Sequence, residues 1–278
     1  MEQFINIAYR DLQLAATIHT PAPPSRTDSE TEPAAKFPLI IICHGFVGSR
    51  VGVDRLFVKA AREFSARGFM VLRFDYSGCG ESEGDYGAGG LDSLVEQTLH
   101  VISYALTIAD VDPERIILLG HSLGGAVALL TATEDTRIKK LVMWSAVAHP
   151  FKDIVNIVGK KGYEEAMQYG RVDYLGYSLQ DCFFESLSRH HPLKQAKKYH
   201  GDVLVVHGNQ DDVIPVDYSF LYQVILRYRL NGYVDKEVIQ QADHTYSSAA
   251  AFDELVSKTV HWIFAAEQRM NAWSDWMI

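Results

Sequence analysis

The stretch Ile116-Ile117-Leu118-Leu119-Gly120-His121-Ser122-Leu123-Gly124-Gly125-Ala126-Val127-Ala128-Leu129 decides the fold. A short, continuous apolar run suits a strand buried on both faces of a parallel sheet. It passes through Gly-x-Ser-x-Gly directly into a segment with helical spacing, and this strand, sharp turn and helix context is what a nucleophile elbow requires. A turn that sharp brings backbone against backbone, so small residues are needed on both sides of the serine, and Gly120, Gly124 and Gly125 supply them.

Further runs of the same kind lie on either side: Leu39 to Cys43, Phe69 to Phe74, Leu141 to Trp144, Val203 to Val206 and the weaker Glu237 to Ile239. Between them are helical stripes, such as Leu56, Phe57, Ala60, Ala61 and Phe64, and Leu91, Leu94, Val95, Thr98, Ile102 and Ala105. Others begin after Ser122, after Val216 and near Ala249. Alternating strands and helices predict an α/β fold, a mostly parallel sheet with helices on both faces and its chemistry at the carboxyl ends of the strands. Ahead of this pattern, Leu12, Leu14, Ala16 and Ile18 alternate with Gln13, Ala15, Thr17 and His19, which predicts a half-buried strand, with Phe4 to Tyr9 as its hairpin partner.

Two segments break the rhythm. Pro21 to Phe37 is polar and Pro-rich and reads as a mobile surface loop. Ala148 to Tyr199 offers no strand and carries many Tyr and Phe residues, so it reads as an inserted lid. The domain expectation is a core of residues 1–147 and 200–278 with a lid at 148–199.

A length of 278 residues fits one such α/β unit, and 47% hydrophobic residues provide for a large core. The net charge of −9 argues against a nucleic-acid partner, which would need clustered Lys and Arg. The first residues show no signal-peptide pattern, no stretch is apolar enough to span a membrane, and Cys43, Cys79 and Cys182 form neither an even disulfide set nor a metal spacing. A reducing cytoplasm is the expected compartment. No phosphate loop, redox motif or metal spacing is present, so no cofactor is implied.

A serine hydroxyl needs a base, and in this fold the acid precedes the base in the chain. His244, after the last predicted strand, fits that order. His19 and His100 fall before Ser122, His121 adjoins it, His261 reads as packed in a helix, and His190 and His191 read as solvated. The acid should follow Val203 to Val206, where Asp211 and Asp212 are both available, and Asp211 is preferred; Asp243 is a third candidate. Two oxyanion donors are needed: the backbone N–H of Leu123, and one from the loop after Leu39 to Cys43, at Phe46.

The pieces His44-Gly45-Phe46, Arg73-Phe74-Asp75-Tyr76-Ser77-Gly78-Cys79-Gly80-Glu81-Ser82, Gly120-His121-Ser122-Leu123-Gly124-Gly125, His207-Gly208 with Asp211, and Ala242-Asp243-His244 occur in the order seen in α/β-hydrolases. The chain resembles most the bacterial cinnamoyl (feruloyl) esterase group among them. That resemblance implies Ser122, Asp211 and His244 as a triad, Phe46 and Leu123 as oxyanion donors, and a lid over the acyl pocket. The expected activity is hydrolysis of small-molecule esters through an acyl-serine intermediate, with thioesterase, acyltransferase or amidase chemistry, or a non-catalytic binding role, as the alternatives. Aromatics of the lid can meet a bulky or aromatic acyl group, and Tyr169, Tyr174 and Tyr177 are the candidates.

Overall fold

The computed structural model describes residues 1–22 and 36–276, with side chains as far as residue 269. The Pro-rich loop expected at Pro21 to Phe37 falls almost wholly outside the described residues.

The chain opens with an antiparallel hairpin, β1 (Glu2–Tyr9) and β2 (Leu12–His19). There follow β3 (Phe37–Cys43), α1 (Leu56–Ala66), β4 (Met70–Phe74), α2 (Gly90–Ala105), β5 (Val111–His121), α3 (Leu123–Glu134) and β6 (Lys140–Trp144). The segment after β6 holds α4 (Pro150–Val158), α5 (Lys160–Tyr169), β7 (Arg171–Tyr174), β8 (Tyr177–Gln180), α6 (Asp181–Arg189) and α7 (Pro192–Gln195). The chain then returns to β9 (Asp202–Gly208), α8 (Asp217–Arg227), β10 (Val234–Ile239) and α9 (Ala249–Trp276). One eight-stranded sheet runs in the order β1-β2-β4-β3-β5-β6-β9-β10, parallel from β4 to β10, with β2 antiparallel to β4.

Strict alternation in the central strands divides the core into two layers. Leu39, Ile41, Leu118, Met143 and Val205 pack with residues of α2 and α3 on one face. Ile40, Ile42, Leu119, Trp144 and Val206 pack with residues of α1 and α9 on the other. Each fully buried side chain of this size contributes roughly 1.5–3 kcal/mol, which explains why these strands carry almost no polar residue. Among the described residues no helix is long and apolar enough to cross a membrane, and all three cysteines are unpaired.

Two expectations need correction. Strand β2 is not half-buried, because its polar face is covered too: Thr17 and His19 are both buried. Thr17 Oγ1 accepts a hydrogen bond from Arg50 Nε at 3.3 Å, and His19 Nε2 accepts one from Arg73 Nε at 2.9 Å. A buried ionic cluster thus replaces water on that face. The inserted segment, read as strandless, contains the hairpin β7 and β8. Its two turn residues, Leu175 and Gly176, have φ of 53° and 84°, the pattern of a tight two-residue hairpin turn. Strands of four residues are too short for Val172 and Tyr174, or Tyr177 and Leu179, to register as an alternating pattern.

Candidate active site

The β5 to α3 turn places Ser122 at φ 58° and ψ −124°, a strained conformation for a residue with a Cβ. Backbone bonds hold it there. Its N–H donates to Trp144 O at 2.9 Å, and its carbonyl accepts from the N–H groups of Gly125 at 3.0 Å and Val147 at 3.1 Å. The flanking glycines are required by contact. A Cβ on Gly120 would lie 2.1 Å from Gly124 O, and one on Gly124 would lie 2.2 Å from Cys43 O. Both neighbours are backbone and have no room to yield. Gly124→Ala should therefore destabilise the protein by about 1–3 kcal/mol, the usual cost of overpacking. A melting temperature equal to that of the wild type would refute this account of the elbow.

His244 lies in the loop after β10. Its Nε2 is 3.0 Å from Ser122 Oγ, and its Nδ1 is 2.8 Å from Asp211 Oδ2. The Asp211 side chain is fully buried. Its Oδ1 accepts from the N–H groups of Val213 at 3.0 Å and Ile214 at 2.8 Å. Burial alone would raise its carboxyl, but hydrogen bonding from His207 and His244 prevails and holds it far below the ordinary carboxylate range. An ionised Asp211 fixes the proton of His244 on Nδ1 and leaves Nε2 free to accept the serine proton. The other two acid candidates do not reach the ring. Asp212 is exposed, and Asp243 accepts from Thr245 N and Ser247 N in its own turn.

The loop after β3 lies against the serine, since a Cβ on Gly45 would sit 3.1 Å from Ser122 Cβ. His44 anchors one end of this loop, accepting from Tyr76 N–H at its Nε2 (3.1 Å) and hydrogen-bonding Gly45 O through Nδ1 (2.8 Å). Arg50 anchors the other end, through ion pairs to Asp75 and Glu81. Among the described residues, neither the Phe46 nor the Leu123 backbone N–H donates to a protein acceptor. Leu123 is the first residue of α3, where no intrahelical acceptor exists. Two unpaired N–H groups beside a serine are what an oxyanion site needs. His121, whose Nε2 lies 2.8 Å from the His244 carbonyl oxygen, is kept uncharged because burial pushes its imidazole down to about 3.

A cleft of about 220 Å³ opens onto Ser122 and His244 and is lined mainly by apolar side chains, including Phe46, Leu56, Phe57, Ile157, Tyr174 and Val213. Of the three candidate tyrosines, Tyr169, Tyr174 and Tyr177, Tyr174 alone lines it. Tyr169 is 71% exposed, and Tyr177 packs edge-on against Tyr86 with ring centroids 5.8 Å apart. Most other insert aromatics serve packing: Phe151, Tyr163, Phe184 and Phe183 form an edge-to-face chain at 5.3, 5.4 and 5.6 Å. Two further readings change. His190 is not simply solvated, because its Nε2 lies 2.6 Å from Asp92 Oδ1 and ties the insert to α2, and His261 is exposed on α9 rather than packed. The cleft residues Ile157 and Val213 escaped sequence reasoning; the amphipathic spacing of Ile154 and Ile157 in α4 was the available signal for the first. Among the described residues no group of three or more His, Cys, Asp or Glu side chains could hold a metal ion.

The protein has the α/β-hydrolase fold. A family model for that fold matches residues 38–169. A 31.7 kDa Escherichia coli protein from the traX-finO intergenic region is 28% identical over 267 residues, covering 82% of this chain and 90% of that one. The quorum-quenching protein AidA of Acinetobacter baumannii is 35% identical over 107 residues, covering 38% of this chain and 34% of its own. Among solved structures, Est1E of Butyrivibrio proteoclasticus with bound ferulic acid superposes with a TM-score of 0.77 at 23% identity, covering 95% of this chain and 99% of that one.

Proposed function

We propose that the protein is a serine hydrolase of carboxylic esters that works through an acyl-Ser122 intermediate. The observation that carries this reading is the unbroken chain Ser122 Oγ, His244 Nε2, His244 Nδ1 and Asp211 Oδ2, with its two links at 3.0 and 2.8 Å. His244 takes the serine proton as Oγ attacks the ester carbonyl carbon. The oxyanion so formed is met by the N–H groups of Phe46 and Leu123. His244 then gives its proton to the departing alcohol as the carbon–oxygen bond breaks, leaving the acyl group on Ser122. Water, losing a proton to His244, attacks the acyl carbon and releases the acid and the free serine.

The acyl group is bulky or aromatic in this reading, as in the cinnamoyl esterases the chain resembles. An apolar cleft with the amphipathic ring of Tyr174 at its wall supports that choice. The segment 148–199 acts as a lid, since it contributes Ile157 and Tyr174 to the cleft. Three unpaired cysteines favour a cytoplasmic site of action. The test is kcat/KM on a panel of acetyl, long-acyl and hydroxycinnamoyl esters, with thioesters and aryl amides alongside. Faster turnover of thioesters or amides than of every ester would overturn the ester reading.

Tyr174→Ala should change the ratio of kcat/KM between hydroxycinnamoyl and acetyl esters by up to roughly tenfold, the effect of losing one contact of about 1.4 kcal/mol. Tyr169→Ala should leave that ratio unchanged, and Tyr177→Ala should lower thermal stability without altering it. An unchanged ratio in the Tyr174 variant would move acyl selectivity to the β3 and α1 side of the cleft.

A further inference from the structure

His207, the penultimate residue of β9, is a histidine that simple packing does not explain. Its neighbours in the strand, Val203 to Val206, are apolar, and its own side chain is completely buried. Its Nε2 lies 3.0 Å from the Ile214 carbonyl oxygen and 3.0 Å from Asp211 Oδ2. Both are acceptors, so Nε2 carries the proton. Its Nδ1 is buried without a partner among the described residues, an arrangement that costs free energy and that an apolar residue would avoid.

We infer that His207 is a positioning residue for Asp211, holding the carboxylate that in turn orients His244; this rests on the proton-relay reading above. The oxygen involved decides the matter. Asp211 Oδ1 is held by two backbone N–H groups, whereas among the described residues Oδ2, the oxygen that meets His244, has only His207 on its other side. The His207 N–H lies against that oxygen and also bonds the carbonyl of Ile214, whose own N–H donates to Asp211. One side chain therefore fixes both the loop and the carboxylate rotamer within it. Without it Oδ2 can swing away from His244, and the base loses its orientation.

The test reads the rate at which a fluorophosphonate labels Ser122. In that reaction the Oγ–P bond forms, the P–F bond breaks, fluoride leaves and His244 takes the serine proton, so nucleophile activation is measured without knowing the substrate. Full-length wild type is compared with His207→Asn, whose amide stops short of Asp211, and with His207→Gln, whose amide nitrogen takes the place of Nε2. Both changes are repeated on Asp211→Asn, with a melting curve for each protein. Labelling of His207→Asn should fall about tenfold or more, His207→Gln should stay within about threefold of wild type, and the asparagine change should cost under about twofold on Asp211→Asn, because groups acting as one unit are not additive. If the asparagine variant melts below the assay temperature, His207→Leu takes its place in the comparison. Wild type that resists labelling would instead refute the underlying serine reading. Labelled wild type with an equally fast His207→Asn, an equal loss in both Asp211 backgrounds, or a glutamine variant no faster than the asparagine one would each overturn the role given to His207.

Discussion

Ser122→Ala should lower kcat on every ester by about a millionfold, the scale on which removal of a triad serine acts, while the protein keeps its fold. The structure separates these two outcomes. Everything that fixes the elbow is backbone: the N–H of residue 122 donates to Trp144 O, and its carbonyl accepts from Gly125 and Val147. Among the described residues Oγ contributes only the 3.0 Å hydrogen bond to His244 Nε2. Alanine has the same Cβ as serine and faces the same positive φ, so the strain at 58° is unaltered. The melting temperature should match that of the wild type, and a fluorophosphonate should no longer attach. Appreciable turnover by the folded alanine variant would defeat the mechanism, because among the described residues Ser122 Oγ is the nucleophile at hydrogen-bonding distance from His244 Nε2.

The features legible in the sequence are those that local chemistry dictates. Leu39 to Cys43 and Ile116 to Leu119 had to be buried on both faces to be so uniformly apolar, and they form neighbouring central strands. Gly120 and Gly124 declared the tight turn, and strand order then limited where a base and an acid could stand; the structure brings His244 within hydrogen-bonding distance of both Ser122 and Asp211. Features that depend on long-range contact were not legible. Thr17 and His19 look like a solvated face until Arg50 and Arg73, far along the chain, fold over them. Tyr169, Tyr174 and Tyr177 are equivalent by composition, and the folded insert separates them: Tyr174, the last residue of β7, meets the cleft, and the other two do not line it. His207 was visible as part of a motif, but its contact with Asp211 needs the loop from Gly208 to Ile214 to close back on the strand.

Asp211→Asn should lower kcat by up to about 10⁴, with Asp212→Asn close to wild type. An amide at 211 can present its N–H₂ to His244 Nδ1, which favours the tautomer with the proton on Nε2, where it blocks acceptance from Ser122. It also loses the negative charge that stabilises the imidazolium formed during attack. Asp212 makes neither contribution, since its side chain is exposed and the contact to His244 runs through its neighbour. The same substitution has a signature in stability. In the folded protein the Asp211 carboxyl is held below its unfolded value, chiefly by hydrogen bonding from His207 and His244 against the opposing effect of burial. A depressed value means that ionisation favours the folded state above the unfolded reference of about 3.9 and that this contribution is lost as pH falls toward the folded value. Asparagine does not titrate, so the melting temperature of Asp211→Asn should fall less steeply below about pH 4 than that of the wild type. Kinetics and melts then decide together: a larger kinetic loss in Asp212→Asn would transfer the acid role by one residue, and parallel acid limbs for wild type and Asp211→Asn would show that the carboxylate at 211 is not held ionised by the two histidines.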